Sequence, residues 1–173
     1  MTLLVRHPDT PPGAIHRIDA ELVRTDDGAI ATFRASGDIA RLVVPAASPP
    51  ERADGLWKTT CFELFVGGEG DAYREYNFSP STRWAAYDFA AYRKQAGNCV
   101  AKVEIDCSAD PRQLTLVARI ACDIDNPARV GLCAVIEETD GAIRYWAVAF
   151  APGKPDFHAA ATRALLLDGV DAQ

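Results

Sequence analysis

Apolar and polar residues alternate along this chain over short stretches, and turn-forming residues interrupt them every eight to fifteen positions. A period of two with frequent punctuation predicts antiparallel strands joined as hairpins. Ten strands follow: Ile15 to Arg24, Ala29 to Ala35, Ile39 to Val44, Cys61 to Val66, Ala72 to Phe78, Trp84 to Phe89, Val100 to Ile105, Leu114 to Ile120, Ala134 to Glu138 and Ile143 to Phe150. Two hairpins carry the strongest local signal. Thr25-Asp26-Asp27-Gly28 separates the first pair and Thr139-Asp140-Gly141 the last, and an Asp-Gly step tolerates the positive φ of tight turns. The tail from Phe157 to Leu167 contains Ala159-Ala160-Ala161 and Ala164-Leu165-Leu166-Leu167, which by propensity alone would read as a helix.

Many short strands without βαβ alternation predict an all-β fold, a two-sheet antiparallel β-sandwich. With 173 residues, 49% of them hydrophobic, residues 1–173 form one domain large enough for its own core. No apolar stretch is long enough to span a bilayer as a helix, and the first twenty residues, with Arg6, His7, Pro8, Pro11 and Pro12, do not read as a secretory signal. Five cysteines without C-x-x-C spacing read as free thiols in a reducing cytoplasm. A net charge of −6 argues against a nucleic-acid surface, and no membrane partner is expected. Oligomeric state is not legible.

The segment from Leu56 to Phe89 carries the candidate chemistry. Pairing Val66 with Ala72 across Gly67-Gly68-Glu69-Gly70 sets Glu63 opposite Glu75 and Cys61 opposite Asn77, and pairing Phe78 with Arg83 sets Asn77 opposite Trp84. One face then holds Glu63, Glu75, Asn77, Trp84 and Asp88. The other holds Phe62, Leu64, Val66, Tyr76, Phe78, Ala85, Tyr87 and Phe89, an apolar set suited to the space between sheets. Slipping the register by one would bury the glutamates and expose Phe62 and Leu64.

Two carboxylates directly opposed, with Cβ atoms about 5 Å apart, repel one another and need compensation. A neighbouring guanidinium, with Arg93 the nearest candidate, or protonation of one carboxyl would supply it. The functional alternative is a polyol or cation held by Glu63, Glu75 and Asn77 over the ring of Trp84. Sugar recognition needs that pairing of planar hydrogen-bonding groups with an aromatic plate. Trp57, entering from a Pro- and Gly-containing loop, suits a rim position, whereas Trp146 suits the core.

The run Leu56-Trp57-Lys58-Thr59-Thr60-Cys61-Phe62-Glu63-Leu64-Phe65, then Tyr73-Arg74-Glu75-Tyr76-Asn77-Phe78-Ser79-Pro80-Ser81, Trp84 to Phe89, Tyr92-Arg93 and the late Pro155-Asp156-Phe157-His158, resembles bacterial stand-alone DOMON-like proteins related to the family-nine carbohydrate-binding modules. The likeness spans roughly residues 20 to 168, its specific part being these motifs. It implies a jelly-roll-like sandwich that binds sugars, or haem in some members, usually without catalysis, and a tail that ends as a strand near Arg163 to Leu167. Haem suits this chain poorly: the one methionine is Met1, and His7 and His16 lie in the N-terminal segment, leaving His158, which also suits a structural bond to a backbone carbonyl. No cofactor is expected, although calcium stays open through Glu63, Glu75 or Asp88.

The reading is non-catalytic binding of a carbohydrate-like small molecule by Glu63, Glu75 and Asn77, with Trp84 and Trp57 as stacking or rim residues and Arg93 and His158 beside them. Two alternatives remain, a glycoside-processing enzyme using the Glu63 and Glu75 pair, whose opposed spacing matches retaining hydrolysis, and a protein-interaction module. No G-x-S-x-G or H-E-x-x-H motif occurs.

Overall fold

The computed structural model describes residues 1–168. Its twelve strands are all paired antiparallel: β1 (Thr2–Arg6), β2 (Ile15–Thr25), β3 (Gly28–Gly37), β4 (Cys61–Gly67), β5 (Tyr73–Phe78), β6 (Trp84–Ala91), β7 (Lys94–Asn98), β8 (Lys102–Ala109), β9 (Gln113–Ala121), β10 (Ala128–Glu137), β11 (Ile143–Ala147) and β12 (Leu165–Leu167). One layer runs β8-β9-β3-β2-β1 and the other β7-β6-β5-β4-β10-β11, with β12 also on β10. Strand β1 joins them, pairing Thr2 to Leu4 with β2 and then Val5 and Arg6 with β11. The fold is the antiparallel β-sandwich that the alternation predicts.

The inner faces meet in one apolar core, where Phe33 of β3 packs on Phe62 of β4 with ring centroids 5.0 Å apart. Both predicted hairpins form. Gly28 opens β3 where an added Cβ would lie 2.0 Å from the Ile120 carbonyl oxygen of β9, and Gly141 turns the second hairpin at a φ of 84°.

Other expectations need correction. Ile39 to Val44 is not a strand: Ile39–Arg41 is a 3-10 turn, and Leu42 makes only an isolated bridge to Glu138. Here the alternation reflects Ile39 and Leu42 dipping into the core from a crossing loop. The last hairpin strand stops at Ala147 rather than Phe150. Strands β1 and β7 were not expected, the first being short and the second, Lys-Gln-Ala-Gly-Asn, fully exposed and without an apolar signal. The tail holds a 3-10 turn over Ala160–Thr162 and then β12, so the strand implied by the family resemblance prevails over helical propensity. Among the described residues no helix is long and apolar enough to cross a membrane.

One further property of the second layer positions the site. Residues 148–164 cross its outer face and cover a second apolar cluster of Phe65, Tyr73, Phe89, Cys133, Val135, Ala147 and Phe157. Strand β4 is therefore buried on both faces, Cys61 to Val66 without exception, and its outward carboxylate is buried too.

Candidate functional site

Strands β4 and β5 pair two residues away from the expected register. Gly67 pairs with Tyr73, and Gly68 N–H donates to the Ala72 carbonyl at 2.9 Å, so the ladder runs into the glycine loop and shortens it. Glu63 consequently faces Asn77, and Glu75 faces Phe65. A shift of two keeps every side chain on its face, so Glu63, Glu75 and Asn77 still share one surface, but the glutamates are diagonal neighbours rather than directly opposed. Diagonal neighbours sit roughly 7 Å apart, so the premise for a close carboxylate pair does not hold as first derived.

The β5–β6 pairing differs by one residue, which exchanges faces. Phe78 pairs with Trp84, not Arg83, because Thr82 takes a left-handed backbone (φ 75°) and keeps Arg83 in the turn, where its carbonyl accepts the Ser79 N–H at 3.0 Å. Trp84 therefore packs on the inter-sheet core and does not join the glutamates. Asp88 lies on that inner side as well, its carboxylate 3.1 Å from the Arg74 guanidinium. Tyr87 and Phe89, expected in the core, come round to the carboxylate face.

The result is a cleft of about 690 Å³ on the outer side of β4, β5 and β6. Glu63 and Glu75 form its floor, 3% and 5% exposed. Tyr87, Phe89, Tyr145 and Phe157 make its walls; Trp57, half-exposed in the 3-10 turn Leu56–Lys58, stands at the rim. Arg93 and His158 also line it, whereas Asn77 is wholly buried behind Glu75. Tyr87 and Phe89 escape sequence reasoning because a one-residue change in turn length decides which face of β6 they occupy. Tyr145 and Phe157 come from elements whose approach only the tertiary fold determines.

Hydrogen bonds fix the polarity of the floor. Asn77 Nδ2 donates to Glu75 Oε1 at 2.6 Å while the Cys61 thiol donates to Asn77 Oδ1, so the amide presents its donor to Glu75. The Tyr73 hydroxyl accepts the Arg93 backbone N–H at 3.0 Å and has one proton of its own, which it gives to His158 Nδ1 at 2.8 Å. His158 Nε2 lies 3.7 Å from Glu75 Oε2, and the tautomer with the hydrogen on Nε2 is the one these neighbours favour, since it turns a donor rather than a lone pair toward the carboxylate. That bond replaces the backbone-carbonyl contact expected of His158. Arg93 holds a left-handed conformation (φ 54°) in the β6–β7 turn, fixed by the Tyr73 contact and by a 2.9 Å ion pair with Asp156.

Burial pushes the Glu63 carboxyl well above the usual carboxylate range, and the Glu75 charge pushes it further. Burial also raises Glu75, against the Asn77 hydrogen bond and the Arg93 charge, which hold it down. Glu75 is the carboxylate supplied with a donor; Glu63 has no hydrogen-bond partner among the described residues. Burial lowers His158 to about 4, with Arg93 adding to the effect, so the ring is neutral near pH 7.

All five cysteines are free. Among the described residues no group of three or more His, Cys, Asp or Glu side chains is placed to hold a metal ion, and Asp88 is separated from the two glutamates by the sheet.

No family model matches the chain, and no curated protein matches it. Among solved structures it is similar to that of a candidate carbohydrate-binding protein from Bacteroides uniformis ATCC 8492, with a TM-score of 0.62 and 14% identity over 93% of this chain and 82% of that one. At that identity the likeness concerns the fold.

Proposed function

We propose that this protein binds a carbohydrate-like small molecule, without catalysis, in the cleft floored by Glu63 and Glu75. One observation carries the reading: two buried carboxyl groups, Glu75 oriented by Asn77 and faced by His158 Nε2, lie beneath aromatic walls in a hollow of about 690 Å³, ample for a sugar ring. The carboxyl oxygens and the imidazole nitrogen can take paired hydroxyls, and Tyr87, Phe89 and Trp57 can take the apolar ring face. The sandwich shared with a candidate carbohydrate-binding protein supports this reading, as does the resemblance of the central motifs to DOMON-like proteins and family-nine modules. Five free thiols suit a reducing compartment such as the cytoplasm.

Binding of simple sugars should quench Trp57 fluorescence and raise the melting temperature by mass action, reaching about 2.7 kcal/mol of added stability at a hundredfold excess over Kd, with no product released. Absence of any thermal or fluorescence response across neutral, acidic and amino sugars would sink the proposal. Product release that disappears in Glu63→Gln would replace it with glycoside processing, and self-association lost in Trp57→Ala would replace it with an interaction surface.

A further inference from the structure

Among the described residues no Lys or Arg side chain pairs with the two carboxyls on the floor of the cleft. Asp54 is paired with Arg52 at 2.8 Å and Asp156 with Arg93 at 2.9 Å. The Lys58 ammonium lies at the rim, 5.8 Å from the centre of the Trp57 ring. Arg163 is stacked on Tyr73, 4.6 Å from its ring centre, and His158 is neutral near pH 7. The thiols of Cys61 and Cys133, pushed up by burial, stay neutral and add no charge. None of these cations is within ion-pair distance of Glu63 or Glu75, and Glu63, 97% withdrawn from solvent, lines the cleft and meets no donor among the described residues.

We infer that the cleft is built for an amine-bearing sugar, its ammonium group seated on Glu63 and Glu75 and its ring against Tyr87 and Phe89; the inference rests on the cleft being the binding site proposed above. A neutral hydroxyl brings only a dipole to a floor whose carboxyls are paired with no cation. An ammonium group brings three donors and a full charge, which satisfies Glu63 and strengthens the bond already offered by Glu75. Aromatic walls favour the same ligand, since an aromatic ring face attracts a desolvated cation, as the Arg52 guanidinium 5.3 Å from the centre of the Tyr87 ring illustrates. His158 Nε2–H, a donor, is left to a neighbouring hydroxyl of the ring.

Seating the cation displaces the proton that burial keeps on Glu63. The carboxyl O–H breaks, the carboxylate takes an N–H hydrogen bond from the ligand, and the proton leaves to solvent. Binding should therefore release protons and tighten as the pH rises toward neutrality.

Isothermal titration of the whole chain with D-glucosamine, D-glucose and N-acetyl-D-glucosamine tests this at pH 6 and pH 7, each in two buffers of different ionisation enthalpy. The expected result is glucosamine binding at least about tenfold tighter than either neutral sugar, with proton release for glucosamine alone. Glu63→Gln, checked for folding by its melting curve, should bring glucosamine to the level that glucose shows with the same variant and abolish the proton release. Equal binding of all three sugars overturns the inference and leaves the cleft as a sugar site. An amine preference that survives in both Glu63→Gln and Glu75→Gln overturns it as well, because the seat is then elsewhere. If none of the three sugars binds, the inference and the proposed site fall together.

Discussion

Replacing Glu63 by Gln should stabilise the protein. The side chain is 3% exposed on a strand buried on both faces, with no hydrogen-bond donor among the described residues and a second carboxylate on the same floor. Native Glu63 therefore holds its proton more tightly than the unfolded chain does. Its contribution to stability is complete below the ordinary glutamate range and is lost as the pH rises through the raised native value, where the native state must either keep a proton the solvent no longer supplies or bear an uncompensated buried charge. Gln does not titrate, so the variant keeps what the wild type loses. Removing the charge while leaving a buried amide that still wants partners gives a net gain of about 1–2 kcal/mol at pH 8, or about 2–8 °C in Tm for a chain of this length. Melting curves by circular dichroism from pH 4 to pH 8 would show the two proteins close together in acid and separating as the pH rises. A variant less stable than wild type at pH 8, or a gap independent of pH, would mean that Glu63 is partnered by a cation and that the charge balance drawn for the cleft is wrong.

His158 works in the opposite sense: with a native value of about 4 against an ordinary 6.5, its contribution is complete above pH 6.5 and is lost as the pH falls from there toward 4, so His158→Gln should flatten the acid limb of the wild-type stability profile. Tyr73→Phe removes the hydroxyl that serves both the Arg93 N–H and His158 Nδ1; it should cost about 1–3 kcal/mol and convert the His158 nitrogen-15 spectrum from the Nε2–H tautomer to a mixture. Trp84→Ala should cost about 2–3 kcal/mol in urea denaturation, less than a fully buried Trp, and leave sugar-induced quenching intact, whereas Trp57→Ala should change stability by no more than about 0.5 kcal/mol and abolish the quenching. At Gly13 an added Cβ would lie 2.0 Å from Glu138 Oε1 and 2.2 Å from Arg144 Nε. Gly13→Ala should thus open the buried Glu138–Arg144 pair, 2.9 Å apart, and lower stability by about 3 kcal/mol, read as a fall in the urea midpoint.

The sequence by itself determined most of the strands, the sandwich and the face shared by Glu63, Glu75 and Asn77, but not β1 and β7, and it read a strand into the loop at Ile39 to Val44. Alternation is a local signal, and an error of two residues in pairing leaves it intact: Val66 pairs with Arg74 instead of Ala72, and the three side chains still point the same way. An error of one residue does not leave it intact. One left-handed threonine at position 82 sent Trp84 and Asp88 inward and Tyr87 and Phe89 outward, a choice that turns on the conformation of a single turn residue and leaves no trace in hydrophobic pattern, since β6 has apolar side chains on both faces. Tertiary structure alone decided that the outer face of β4 is covered. Residues 148–164 carry Phe157 and His158 across it, turning two glutamates that pattern places at a surface into the buried floor of a cleft. Burial and charge balance are sums over groups that the fold brings together from distant parts of the chain, so no stretch of sequence read alone contains them.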